Sequence, residues 1–64
     1  MTTPTNTAIL QRAATRKARY LLVDLARDLD DASLALDLAG RLDQSAECAH
    51  MRRRVLAILQ DLPS

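Results

Sequence analysis

A chain of 64 residues has room for one domain and a modest core. Nothing in its composition staples it: a lone cysteine, Cys48, cannot form an internal disulfide, and no spaced Cys/His set suggests zinc. With no Phe or Trp and one Tyr, its core must come from twelve leucines and eleven alanines, strong helix formers that exclude a strand-rich fold. No apolar run approaches the roughly 20 residues of a membrane span. Met1–Thr7 is polar, without the apolar centre of a signal peptide. The expectation is a single all-α domain over 1–64, with 1–5 disordered, in the cytoplasm, where an unpaired cysteine is at home.

Thr5, Asn6 and Thr7 are N-cap types and place the start of a first helix near residue 6. Ala18, Leu22, Leu25, Leu29, Ala32, Leu36 and Ala39 follow at 4-3-4-3-4-3 spacing, a coiled-coil seam. Gly40 comes directly after, where a C-terminal glycine cap belongs. Asp43 or Ser45 can cap a second helix, in which Cys48, Met51, Val55, Ile58 and Leu62 repeat at 3-4-3-4 before Pro63. This register predicts an antiparallel hairpin with helices over 6–39 and 45–62 and a turn at 40–44. Met51, Val55, Ile58 and Leu62 hold it closed, and Arg52–Arg54 lie beside Asp28, Asp30 and Asp31. A rival register turns at Asp30-Asp31 and starts its second helix near 32, with Ala35, Leu38, Leu42, Ala49 and Leu56 facing in; a three-helix arrangement is a further alternative.

The net charge of +1 conceals segregation. Arg12, Arg16, Lys17 and Arg19 form a basic block. From Asp24 to Glu47, seven acids stand against Arg27 and Arg41, a local charge of −5. Solvated faces pairing across a hairpin account for this better than a nucleic-acid footprint, because the acidic middle repels phosphate.

Residues 32–42 are apolar on more than one side: Ala32, Leu34, Ala35, Leu36, Leu38, Ala39 and Leu42 exceed what one antiparallel neighbour covers. Leu10, Leu21 and Leu56 add to the surplus. The expected interface for a second copy or another protein is therefore Leu34, Leu36, Leu38, Leu42, Leu21 and Leu56, and a helical bundle is the expected assembly.

No catalytic constellation can be assembled. His50, the only histidine, lies two residues from Cys48 and points to a different helix face. Ser33 and Ser45 lack a base, one glycine cannot build a phosphate loop, and Asp24, Asp28 and Asp31 at i, i+4, i+7 read as a solvated acidic face rather than a metal clamp. The chain is expected to be no enzyme, with no cofactor, metal, small-molecule substrate or membrane contact. Nucleic acid is a lesser alternative, resting on Arg12, Arg16, Lys17 and Arg19.

Two families share this outline. In Leu38-Ala39-Gly40 and in Leu56-Ala57-Ile58-Leu59-Gln60-Asp61-Leu62 the chain resembles the co-chaperones of the type III secretion needle subunit, helical hairpins with a long first helix and a glycine-containing turn. The resemblance spans residues 18–62 and implies a cytoplasmic protein that packs on a helical-repeat chaperone and keeps the needle subunit unpolymerised. In Leu29-Asp30-Asp31, with Leu22, Leu25, Asp43 and Glu47 along the pattern, it is similar to the plasmid RNA-binding four-helix-bundle protein that modulates primer RNA pairing. That likeness implies an antiparallel dimer of hairpins on paired RNA loops; Gly40 in the second helix and the lack of an aromatic at the bundle end depart from it. A third class, the short helical phage or bacterial inhibitor of one target, needs no family.

Overall fold

The computed structural model describes residues 4–63, with side chains from residue 6 onward. Helix α1 runs Pro4–Leu38 and helix α2 runs Leu42–Asp61, packed antiparallel as a hairpin. The molecule is a rod of 61 × 14 × 14 Å with a radius of gyration of 16.5 Å, against about 11 Å for a compact chain of this length. Among the described residues no helix is long and apolar enough to cross a membrane.

Pro4 opens α1, a position where its missing N–H and fixed φ do no harm. Thr5, Asn6 and Thr7 therefore lie inside the first turn instead of capping it. Of the stretch expected to be disordered, residues 1–3 lie outside the described residues, while Pro4 and Thr5 belong to α1.

The helix continues unbroken through Asp30-Asp31, so the rival turn there is absent. Aspartate in a helix interior costs at most about 0.7 kcal/mol. Both aspartates are exposed, where water satisfies their carboxylates. A break would separate Leu29 from Ser33 and Leu36, which pack on α2 along the same face.

The chain reverses at Gly40, the residue expected to cap the first helix. Its φ is +76°, the left-handed region. The Arg41 N–H donates to the Leu36 carbonyl at 2.8 Å and the Gly40 N–H to the Asp37 carbonyl at 3.0 Å. This pair of bonds is the Schellman arrangement, which satisfies carbonyls that a helix end leaves open.

Helix α2 then starts at Leu42, three residues earlier than the expected 45. Arg41 occupies the N-cap position without a side-chain capping bond, and its carbonyl accepts the Ser45 N–H at 2.9 Å. Ser45 is thus no cap. Asp43, the other expected cap, sits in the first turn, where its charge complements the helix dipole.

The buried row is made of small residues. Ala26 and Val55 are 7% exposed and Ser45 is 5% exposed, and among the described residues no side chain is fully buried. Ala18, Leu22, Leu29, Ser33 and Leu36 on α1, Cys48, Arg52, Leu56 and Leu59 on α2, and Leu62 just past its end are half-buried beside them. This corrects the expected seam at three places, the first being Ala39, which is exposed in the turn beyond the end of α1. Leu25 gives way to Ala26, and Met51 and Ile58 are exposed while Leu59 turns in. A strict 3.5-residue repeat drifts away from the contact line of a straight 3.6-residue helix, so seam members fall to its side.

Near the turn, Ser33 and Ser45 lock the helices together. Their hydroxyl oxygens are 2.8 Å apart; Ser45 Oγ donates to the Ser33 carbonyl at 2.9 Å, and Ser33 Oγ lies 3.2 Å from the Ser45 carbonyl. No buried side-chain nitrogen or oxygen among the described residues lacks a partner.

A Cβ added at Gly40 meets nothing within 4 Å. Gly40→Ala is therefore expected to destabilise the hairpin through backbone conformation alone, by about 1–2 kcal/mol. Urea unfolding should show a lower midpoint at unchanged slope, and an unchanged midpoint would contradict the assignment.

Candidate interaction surface

The helices are unequal. At about 1.5 Å per residue α1 is roughly 52 Å long and α2 roughly 30 Å, so the first four turns of α1 project past the end of α2. Arg19 marks the junction: its Nη2 donates to the Pro63 carbonyl at 2.6 Å and the Leu62 carbonyl at 3.4 Å. The guanidinium thus closes the C-terminus of α2, where a cation also suits the helix dipole.

This divides the basic block. Arg12 and Arg16 line an open notch of about 720 Å³ between the projecting segment and Pro63. Arg19 lines the same notch but is engaged on the α2 end, and Lys17 lies about a quarter-turn away from Arg16. At the other end, Arg52 Nε stands 3.8 Å from an Asp30 carboxylate oxygen, the pairing expected of a turn near Gly40. Both side chains are substantially exposed, so the pair contributes under about 1 kcal/mol.

The apolar residues expected at an interface separate into two groups. Leu21, Leu34, Leu38 and Leu42 are exposed at 57%, 61%, 82% and 66%. Leu36 and Leu56 are half-buried between the helices. Helical periodicity places Leu34 and Leu38 on the side of α1 facing away from α2, together with exposed Ile9 and Tyr20. Leu10, Leu21 and Leu25 run along one flank. Ile9, Tyr20 and Leu25 are not among the residues expected at the interface: Ile9 and Tyr20 join this surface only through the shared face of α1, and Leu25 is a position of the expected hairpin seam.

The polar residues weighed for chemistry have other duties or none. Ser33 and Ser45 bond to one another. His50 is exposed and Cys48 is half-buried with a free thiol. Among the described residues no group of three or more His, Cys, Asp or Glu side chains converges as a metal site, and Asp24, Asp28 and Asp31 lie along an exposed face.

Compared with known proteins, the chain matches no family model, no curated protein and no solved structure.

Arg19→Ala should free the last turn of α2. Amide exchange at Gln60–Leu62 is expected to quicken by about fivefold, equivalent to about 1 kcal/mol for one charge-assisted bond, while exchange near Ser33 and Ser45 stays unchanged. Equal acceleration at both ends would show that Arg19 supports the whole hairpin rather than this cap.

Proposed function

We propose that this protein is a non-catalytic interaction module whose exposed leucines dock a helix of a second chain. The carrying observation is the inversion of apolar exposure: eleven large apolar side chains are exposed while the buried residues are Ala26, Val55 and Ser45. Isolated exposed leucines are ordinary, but rows of them along a helix signify an interface. Leu34, Leu38 and Leu42 cluster beside the turn and form the centre of this surface.

In its specific form the reading is a cytoplasmic co-chaperone for a type III secretion needle subunit. The long first helix and the turn at Gly40 support that form over the four-helix-bundle likeness, whose turn aligns with Leu29-Asp30-Asp31. A short inhibitor of one target uses the same surface in the same way. RNA binding is the second reading, favoured by one observation: Arg12, Arg16 and Lys17 lie on or beside the segment that α2 leaves uncovered.

A photo-crosslinking residue at Leu42, introduced in cells that make the protein, tests the leading reading. A defined cross-linked species is expected, lost at least about tenfold in Leu38→Asp with helix content unchanged. No cross-link, together with a fully helical monomer at every concentration, would contradict it, and cross-links solely to a second copy would remove the co-chaperone form. The RNA reading expects salt-dependent binding of structured RNA that weakens when Arg12 and Arg16 become alanine; no binding at low salt removes it.

A further inference from the structure

The surface of α1 facing away from α2 is self-complementary in an antiparallel sense. Four pairs of its exposed residues, taken about a point between Val23 and Asp24, are chemically matched, while Val23 and Asp24 flank the axis itself. Ile9 falls opposite Leu38 and Ala13 opposite Leu34, apolar on apolar. Arg16 falls opposite Asp31, cation on anion. Tyr20 falls opposite Arg27, a ring on a guanidinium. All eight are exposed in the hairpin, with Arg16 at the edge of this face, where it also borders the notch beside Pro63. From Ile9 to Leu38 the chain makes about eight turns, so the row stays on one side of a straight helix along nearly the whole of α1. Its spacing of 4-3-4, then 7, then 4-3-4 reads the same from either end, as a helix meeting its own reversed copy requires.

Charge makes the same selection. Residues 4–20 carry Arg12, Arg16, Lys17 and Arg19 and no acid, a charge of +4. Residues 21–38 carry five acids against Arg27, a charge of −4. A parallel pair would set like charge on like, and an antiparallel pair sets each half on its opposite. Within one chain this order gains little, since neither end of α1 carries the charges that would complement its own dipole. Area agrees: the chain exposes 5416 Å², about 1,300 Å² above a compact protein of 7.1 kDa, and a standard interface takes about 800 Å² from each partner.

We infer that the occupant of this face is a second copy of the chain, bound antiparallel along α1 with a two-fold axis between Val23 and Asp24 and with Arg16 of each copy on Asp31 of the other. The inference rests on the reading of α1 as a docking helix. It also covers the projecting segment of each copy with the hairpin of its partner.

Sedimentation equilibrium of wild type, Arg16→Asp, Asp31→Arg and the double variant tests it. Each single reversal sets like charges together twice and is expected to weaken the dimer by about tenfold or more. The double variant should return to within about threefold of wild type. An equimolar mixture of the two single variants should form a heterodimer of near wild-type affinity, because each Asp then meets an Arg. A wild-type chain that stays monomeric to about 100 µM overturns the inference, as does a dimer indifferent to the single reversals or not rescued by mixing. Neither outcome bears on docking of a different protein, which the cross-link at position 42 reads separately.

Discussion

The constraint on which the structure depends is the narrowness of the contact between two helices. Each presents one row to the other, and here the row is built from Ala26, Ser33, Ser45 and Val55. Small side chains let the backbones approach closely enough for Ser33 and Ser45 to bond hydroxyl to carbonyl across the gap. Close approach leaves no space for leucine at the centre of the contact. Leucines are therefore half-buried beside the row or displaced to the outer surfaces. The same choice that joins the helices produces the apolar exterior, so the surplus is a consequence of the packing and not an addition to it.

A second constraint is the inequality of the helices. Once Gly40 fixes the turn and Pro63 follows the end of α2, about four turns of α1 have no neighbour among the described residues. Arg19, bonded to the Leu62 and Pro63 carbonyls, sets the boundary between supported and unsupported helix. A single helix of this length is marginal in water. A partner there, as proposed above, would engage Arg12, Arg16, Ile9 and Leu10, which α2 does not reach.

Much of this was legible from residue types. Leucine and alanine throughout, with prolines near the ends, dictate helix, and Gly40 after the last seam position marks the turn. Residue type places the start of α2 too late because Asp43 and Ser45 have the chemistry of caps, while Arg41, which occupies the cap position, does not. The Schellman bonds fix the chain direction before any side-chain cap is needed, so residue type there carries little information. The inner faces were misjudged at Leu25, Met51 and Ile58, since a heptad and a straight helix agree for two turns and diverge over five. The Ser33–Ser45 link joins residues twelve apart in a register that spacing alone does not determine. The exposure of Leu34, Leu38 and Leu42 followed from counting apolar positions, whereas Ile9 and Tyr20 became interface candidates only once their shared face was in view.

The central proposal is that a second chain covers and orders the projecting part of α1, whereas residues 26–36 are held by the hairpin itself. Amide exchange across residues 8–18, followed as a function of protein concentration, tests it most directly. The account predicts exchange close to that of an unfolded chain at nanomolar concentration, with protection rising as copies or a partner helix become available, while residues 26–36 stay protected throughout. Protection of residues 8–18 that matches residues 26–36 and is independent of concentration would contradict it.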